Sequence, residues 1–374
     1  MMRMYTYPLR PNNRQASALE FLLWQSRLVY NLALEQRITT YRDTGKRANF
    51  YHQSGYFHEL RRKNPDTLGK LNADSMDQTL RRLDNAFTRF FKRVRVGETP
   101  GFPKFKSRGK FHSFVYKYGD GCKLRFYPNN RARFYVQNVG VMRMCYHRAL
   151  PENTVIKQVV VKLINGKWNA CLMVELPDLF PTPEPSCAIG IDVGLKSLLA
   201  FSDGTLIENP NWLRQNLSKL RIANRRASRR QKDSHRKRKA YQQVARLYAK
   251  IASQRRDCLH KITRQLVDHY TLLAIEDLPM AFMKQNKYMA RASYDAGLGT
   301  FRRLLEYKAK AAGTQVVAVT PYNTSQRCSQ CGELVPKDLD TRIHSCPHCG
   351  LVLDRDVNAA RNILQAALAQ VNTG

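Results

Sequence analysis

The chain has 374 residues, and its 63 lysines and arginines outnumber its 29 aspartates and glutamates to give a net charge of +34. A chain of this length can form two or three domains. The charge excess favours a polyanionic partner, because each neutralised phosphate releases counterions. It argues against an enzyme of small molecules, so we expect nucleic acid as the partner.

The composition also argues against membrane-spanning and secreted classes. The sequence has no run of about 20 uninterrupted apolar residues, and its first residues, MMRMYTYPLRPNN, lack the apolar core of a signal peptide. Four of the nine cysteines form two C-x-x-C pairs. This usage fits a reducing compartment and one metal site better than a disulfide framework. We therefore expect a cytoplasmic protein.

The amino-terminal region predicts one strand followed by a helical unit. Residues 3–9 form a candidate strand, and the start signal Pro11-Asn12-Asn13 opens a long helix. A second long helix starts near Asp74, so residues 11–95 are interpreted as helical. Core residues of the first helix recur at helical spacing: Leu19, Leu22, Ser26, Val29, Tyr30 and Ala33.

An irregular segment, residues 97–109, mixes turn formers, basic residues and aromatic residues. On a non-helical backbone, basic side chains can contact phosphates and aromatic rings can stack on nucleobases. The alternative is a solvated basic linker that Phe102 and Phe105 anchor. The basic residues expected to contact nucleic acid here are Lys104, Lys106 and Arg108.

Six short alternating runs follow and predict an antiparallel barrel or sandwich. The strand at residues 3–9 has no other sheet nearby, so we place it in this barrel, with the helical unit inserted. Pro181-Thr182-Pro183-Glu184-Pro185 is a stiff linker and marks the main domain boundary. The six runs are residues 111–118, 123–126, 133–136, 141–146, 155–163 and 168–174.

After the linker, Ala188 to Gly194 forms an apolar run with a carboxylate, Asp192, in its middle, and a second apolar run spans Leu198 to Phe201. This pattern predicts the first hairpin of a nuclease-type α/β sheet. Asp and Gly are also ordinary turn residues, so Asp192 alone is equally consistent with a turn. Whether Asp192 is a catalytic residue or a turn residue depends on whether other acids of the chain join it.

A strongly basic helical pair comes next. Such a density of one sign would repel itself without a polyanion, although charge runs are usually solvated faces. We favour nucleic-acid binding by Arg225, Arg226, Arg229, Arg230, Arg236, Lys237 and Arg238.

A second strand, Tyr270 to Ile275, ends at Glu276-Asp277. Side chains alternate along a strand, so only one of these two acids can join Asp192, and we choose Glu276. A polar loop is expected over residues 284–293, followed by a helix that contains Phe301 and a strand over 315–320. Strand, helix and strand again are typical of a sheet covered by helices.

Two knuckles, Cys328-Ser329-Gln330-Cys331 and Cys346-Pro347-His348-Cys349, predict a structural zinc site. Four thiolates give a closed tetrahedral shell with no open position for water, so this zinc should fold the segment. His344 and His348 are expected to stay outside the shell.

An alanine-rich helix with an acidic start follows the knuckles. Asp354 fits an N-cap, whereas Asp356, Asn358 and Arg361 lie where a helix start could present them to the sheet edge. Carboxylates from three distant segments would repel one another unless divalent cations bind between them. Oxygen ligands favour Mg²⁺ or Mn²⁺, and two ions about 4 Å apart can clamp the attacking water and the leaving oxygen of a phosphodiester.

At these residues the chain resembles the TnpB family, the transposon-encoded relatives of type V CRISPR nucleases. The resemblance rests on Asp192-Val193-Gly194, Glu276-Asp277-Leu278, the two knuckles and Asp356-Val357-Asn358-Ala359-Ala360, in that order. Further similar segments are Val29-Tyr30-Asn31, residues 101–106, Arg256-Asp257, His260-Lys261, Asp295-Ala296-Gly297, Tyr322 and Ser325.

The resemblance implies an RNA-guided DNA endonuclease with RuvC acids Asp192, Glu276 and Asp356 and a fold of several α/β domains. A guide RNA derived from a transposon end would pair with target double-stranded DNA, and the protein would read a short adjacent motif. The implied location is the prokaryotic cytoplasm, on the nucleoid when bound to DNA.

The implied layout has four parts. They are a wedge-type β-barrel (1–10 and 96–180), an inserted helical recognition domain (11–95), a RuvC-like, RNase H-like nuclease domain (181–325 and 350–374) and a zinc-ribbon insertion (326–349) that binds target nucleic acid.

Two other functions are kept as alternatives. One is a guided DNA binder that represses without cleavage, although all three acids are present. The other is a transposase that acts directly on transposon ends with an acidic triad.

Overall fold

The computed structural model describes residues 2–176, 187–277, 287–338 and 341–372, with the backbone alone for 287–289. The chain divides into two compact units, Met1–Pro177 and Asp178–Gly374. The expected linker at 181–185 lies outside the described residues.

The first unit contains one seven-stranded antiparallel sheet, in the order β2-β6-β7-β1-β5-β4-β3. Strand β1 pairs along most of its length with β7 and at its end with β5, so residues 3–9 join the later strands as expected. Strands β2 and β3 form the two edges and are not paired with each other within residues 2–176. The strands are β1 (Met2–Arg10), β2 (Ser113–Lys117), β3 (Cys122–Tyr127), β4 (Arg131–Val136), β5 (Gly140–Cys145), β6 (Val155–Ile164) and β7 (Lys167–Glu175).

Three helices lie between β1 and β2: α1 (Asn13–Thr44), α2 (Phe50–Lys63) and α3 (Ala73–Arg95). Helix α1 begins with a capping box, in which Asn12 and Gln15 each accept the other's backbone N–H. It ends at Gly45, whose φ of 67° is readily available to glycine.

Helices and sheet of this unit share one apolar core. The predicted face of α1 is buried throughout, from Leu19 to Ala33. In the second half of α3 the rings of Phe87 and Phe90 pack edge to face on Phe102 of the loop 97–109. Phe102 therefore anchors the loop although it is 46% exposed, and Phe105 is 53% exposed.

The second unit is built on a five-stranded sheet in the order β10-β9-β8-β11-β12. The predicted hairpin forms antiparallel β8 and β9, and the two later strands add in parallel on the other side of β8. This places β8 at the centre. The strands are β8 (Ala188–Val193), β9 (Ser197–Phe201), β10 (Leu206–Glu208), β11 (Leu272–Glu276) and β12 (Gln315–Val319). A separate two-stranded sheet pairs β13 (Ile343–Ser345) with β14 (Val352–Asp354).

The helices of this unit are α4 (Trp212–Gln215), α5 (Leu217–Ser228), α6 (His235–His269), α7 (Lys287–Ala296), α8 (Leu298–Ala312) and α9 (Arg355–Asn372). The prediction of a polar loop over 284–293 is wrong for residues 287–293, which belong to α7. Alanines at 290, 292 and 296 are strong helix formers and outweigh the polar neighbours. None of the described helices is both long and apolar enough to cross a bilayer.

Gly190 on β8 allows α9 to lie directly against the sheet. A β-carbon at this position would be 2.0 Å from the carbonyl oxygen of Ala360 and 2.9 Å from the β-carbon of Leu364. Only glycine permits this approach, so the position of α9 over β8 depends on it.

Gly190→Ala is expected to destabilise the second unit by about 3 kcal/mol or more, because α9 would have to move away from β8. Urea denaturation of the purified chain measures the change. Gly55→Ala in α2 is the matched control, because nothing lies within 4 Å of its β-carbon position. Equal midpoints for Gly190→Ala and the wild type would contradict the close packing of α9.

Candidate active site

Asp192 and Glu276 lie at the same end of two neighbouring parallel strands, Asp192 one residue before the end of β8 and Glu276 at the end of β11. In the β8–β11 register Ile191 lies opposite Ile275, so the next residues on each strand are Asp192 and Glu276. Residues in register on adjacent strands point to the same face of a sheet. Both carboxyl groups are partly buried on that shared face.

Asp356 comes to the same place from α9, as the second residue of that helix. Its Oδ2 atom lies 3.9 Å from the position that a β-carbon on Gly194 would take, in the turn directly after β8. Three segments that are far apart in sequence thus bring their carboxyl groups to one end of the central strand.

The pKa of Asp192 reflects both its burial and its two acidic neighbours. Burial, and then the negative charges of Glu276 and Asp356, raise this pKa to about 8, against the N–H of Val193 and the charge of Arg355. Burial also raises the pKa of Glu276, although its hydrogen bond from the Thr324 hydroxyl opposes this.

The pKa of Asp356 is raised by burial and by the charge of Asp354. Three cations oppose this increase: Arg342, Arg355 and Lys196. Burial therefore disfavours the charged form of all three carboxyl groups, and a bound divalent cation would stabilise that form.

Two nearby acids have other partners. Asp354 accepts hydrogen bonds from the backbone N–H groups of Asp356 at 2.8 Å and Val357 at 3.3 Å. It therefore caps the N-terminus of α9, as the sequence predicted. Asp277 is exposed and pairs with Arg302 of α8, with Nη1 2.7 Å from Oδ1.

Asn358 and Arg361 do not join the acids. The expectation that α9 presents both to the sheet edge is wrong for Asn358, whereas Arg361 reaches the residue directly after β9. Asn358 is fully buried and donates to the carbonyl of Arg327 while accepting the N–H of Ser329. Arg361 is exposed, and its Nε donates to the carbonyl of Ser202. The helical period of α9 turns these residues away from Asp356.

The four cysteines of the knuckles form a tight cluster, with all four Sγ atoms within 4.8 Å of one another. Cys328 and Cys349 are 3.6 Å apart, as are Cys331 and Cys346. Zn–S bonds of 2.3 Å in a tetrahedron require sulfur separations of about 3.8 Å, so the cluster fits one zinc ion. Among the described residues it is the one metal-ligand group this compact.

The two knuckles have the same backbone. Gly332 donates its N–H to Cys328, and Gly350 donates to Cys346, each with a positive φ of 83° and 75°. Burial would raise the pKa of Cys346, but the N–H groups of His348 and Cys349 and the neighbouring thiols hold it at about 6. The pKa values of Cys331 and Cys349 are raised by burial and by neighbouring thiols. Of these three thiols, Cys346 therefore becomes a thiolate first, and the thiolate is the form that binds metal.

His344 and His348 stay outside the cluster, as expected. His344 is buried and its Nδ1 contacts Nζ of Lys337, while His348 is exposed.

One face of α9 holds the first knuckle in place. Asn358, Asn362 and Gln365, at helical spacing, hydrogen-bond to the backbone of residues 324–329 at distances of 2.7 to 2.9 Å. The hydroxyl of Thr324, in the same segment, donates to Glu276. The zinc segment thus contacts both α9, which carries Asp356, and the acid of β11.

The basic residues expected to contact nucleic acid are mostly exposed. In the loop 97–109, Lys104 is exposed and Arg108 pairs with Glu20 at 3.3 Å. Asn31 exchanges two hydrogen bonds with the backbone of Lys106, whose Nζ lies 5.5 Å from the ring centre of Tyr30. The similarity at Val29-Tyr30-Asn31 therefore corresponds to a loop anchor on α1.

The basic helical pair is present as α5 and α6. Small apolar residues hold the two helices together near their connection: Ala223, Ala227, Ala240 and Val244. Of the seven predicted contact residues six are exposed and Lys237 is partly buried.

Sequence patterns did not identify Thr324, Lys196 or Arg342 as neighbours of the acids. Thr324 lies four residues before the first knuckle, and this spacing was the available signal. The two cations carry no local pattern, because they reach the acids only through the fold.

An α/β nuclease is the class that this sheet and its acids define. Residues 171–287 match the family described as "Probable transposase", residues 299–363 match "Cas12f1-like, TNB domain" and residues 1–46 match "Helix-turn-helix domain". In this structure the last range contains β1 and the single helix α1.

A Streptomyces pristinaespiralis protein named "Putative RNA-guided DNA endonuclease" is 33% identical over 371 residues, which cover 98% of this chain and 90% of the relative. The similarly named InsQ of Escherichia coli K12 is 29% identical over 390 residues, which cover 100% and 94%. The chain belongs to the TnpB family.

A solved structure of a Cas12f1–sgRNA–target DNA complex has the same fold, with a TM-score of 0.64 at 17% identity. The match covers 94% of this chain and 83% of that one.

Proposed function

We propose that this chain is an RNA-guided DNA endonuclease in which Asp192, Glu276 and Asp356 hold two Mg²⁺ or Mn²⁺ ions. The observation that supports this most is the shared carboxylate site, where burial raises the pKa values of all three acids and the charges of Glu276 and Asp356 raise that of Asp192 further. The family membership and the charge of +34 support nucleic-acid substrates.

When bound, the ions would activate water and stabilise the charge that develops on a phosphodiester. The chain's own residues prepare the site for this. Parallel strands β8 and β11 fix Asp192 and Glu276 side by side, Gly190 lets α9 bring Asp356 close, and the Thr324 hydroxyl orients the Glu276 carboxylate. Lys196, Arg342 and Arg355 supply positive charge beside a site that must accept a phosphate.

The roles of the parts follow from the same proposal. The first unit would act as wedge and recognition domains that hold a guide RNA from a transposon end, and the second as a RuvC-like nuclease with a zinc-bearing insertion. The strand order of the five-stranded sheet, with one antiparallel hairpin and two parallel additions, supports the RNase H-like assignment. The boundaries at 10, 95, 180, 325 and 349 stay predictions, as does the cytoplasmic location.

The carboxylate cluster and the named relatives argue against the two alternatives, a guided repressor and a transposase that acts on transposon ends. A guided repressor without cleavage would not need three carboxylates in one repelling cluster. A transposase would have to recognise its ends by protein contacts alone, whereas the family relatives are named for RNA guidance.

The test is to purify the chain from cells that carry its transposon and to sequence the RNA that co-purifies. A discrete transcript that ends at the transposon boundary is expected. If the purified chain carries no discrete RNA but binds transposon-end DNA specifically, the transposase function replaces this one.

A further inference from the structure

Four arginines form a continuous row across four strands of the first unit. The strand registers pair Arg10 with Arg143, Arg143 with Arg133 and Arg133 with Arg125. Neighbouring strands are about 4.8 Å apart, so the row extends roughly 14 Å across β1, β5, β4 and β3. We call these four residues the arginine ladder.

All four residues are exposed, and they share one face of the sheet because each lies directly opposite the next in the strand register. Residues 121–150 contain six lysines and arginines and no aspartate or glutamate. Within the described part of the chain, no carboxylate forms an ion pair with any of the four.

Like charges directly opposite each other destabilise a sheet. Three successive arginine pairs therefore cost stability in the isolated chain, and a polyanion on this face would remove that cost. An arginine fork also matches phosphate oxygens in a bidentate way.

The face also offers contacts for bases. Arg10, Arg133 and Arg143 line a groove of about 1130 Å³ that reaches the turn between β3 and β4. Tyr127 lines this groove and is 43% exposed, with Arg133 5.9 Å from its ring centre, and Tyr135, two residues beyond Arg133, is 40% exposed. The turn contains Asn129 and Asn130, which both have a left-handed backbone conformation. Their side-chain amides can donate and accept hydrogen bonds.

We propose that the arginine ladder and its tyrosines bind an RNA that has unpaired bases, with the guanidinium groups on phosphates and the rings on bases. Duplex DNA keeps its bases stacked, whereas loops and bulges of RNA expose bases that aromatic rings and amides can contact. This assignment rests on the proposed function, in which the RNA is the guide.

The test compares RNA bound to the double variant Arg133→Gln/Arg143→Gln with RNA bound to the wild type. The matched control, Lys162→Gln/Lys167→Gln, removes two exposed charges from β6 and β7 of the same sheet. Co-purifying RNA is quantified per mole of protein, and its transcribed form is titrated at several KCl concentrations.

We expect the ladder variant to lose at least tenfold in RNA affinity, with the salt slope reduced by about 1.5 for two phosphate contacts. Its Tm without RNA should equal or exceed that of the wild type, because like-charge repulsion is removed. The control should bind RNA within about twofold of the wild type.

Unchanged RNA binding by the ladder variant would overturn this inference and leave the proposed function intact. Loss of target-DNA binding with RNA retained would also overturn it, because the face would then belong to DNA. A wild-type chain that carries no discrete RNA would overturn both.

Discussion

Asp192→Ala, Glu276→Ala and Asp356→Ala are each expected to reduce DNA cleavage at least about 10³-fold, because each removes a metal ligand worth several kcal/mol in the transition state. RNA retention should not change, because the acids lie in the second unit and take no part in the arginine ladder. Gel assays of cleavage and quantification of bound RNA measure the two effects on the same preparations.

Asp277→Ala is the matched control, since this acid follows Glu276 directly but pairs with Arg302 at the surface. It should cleave at a rate close to that of the wild type. Cleavage at the wild-type rate by any of the three site variants would remove that residue from the proposed metal site.

A stability measurement separates loss of chemistry from loss of folding. The folded pKa of Asp192, about 8, is above the value of about 3.9 for an unfolded aspartate. The native state therefore holds a proton that the unfolded state releases, so without divalent ions this group lowers stability as pH rises from about 4 to 8. Asp192→Asn should then have a higher Tm than the wild type at pH 8, and the difference should vanish near pH 4.

Cys346→Ser, or removal of zinc by a strong chelator, is expected to unfold the knuckles and loosen α9. Structural zinc contributes apparent free energies of about 10–16 kcal/mol in zinc-finger peptides, comparable with the whole stability of a domain. Asn358, Asn362 and Gln365 would lose their partners, so residues 324–372 should become sensitive to protease. The wild type should contain one zinc ion per chain by metal analysis.

Cys187→Ser is the control for this experiment, because Cys187 is an exposed free thiol outside the cluster. Protease resistance of residues 324–372 that survives complete zinc removal would contradict the structural role of the ion.

The sequence predicted most elements of this fold because their signals are local. The helix start at Pro11-Asn12-Asn13, the alternating runs between residues 111 and 174, and the knuckle spacing each depend on a few neighbouring residues. The prediction of a loop over 284–293 was wrong for residues 287–293, because it gave more weight to the polar residues than to the alanines that favour α7.

The acids could be predicted because Asp192 and Glu276 lie near the ends of recognisable strands and Asp356 lies at the start of a recognisable helix. Their surroundings could not. Thr324 reaches Glu276 only because α9 holds residues 324–329 through Asn358 and Asn362. The arginine ladder likewise depends on the β1–β5 pairing of residues more than 130 positions apart, as in Arg10 and Arg143. Such contacts follow from strand order and helix packing, which no single segment encodes.

Guided cleavage itself is the most direct test of the account. The chain is purified with its co-purifying RNA engineered to carry a new guide segment, and Mg²⁺ is added with a plasmid library that contains the matching site beside randomised sequence. We expect double-strand breaks only in plasmids with the matching site, in a subset that shares one adjacent motif, and none for Asp192→Ala. Breaks that do not move when the guide is changed, or no breaks with Mg²⁺ or Mn²⁺, would contradict the proposed function.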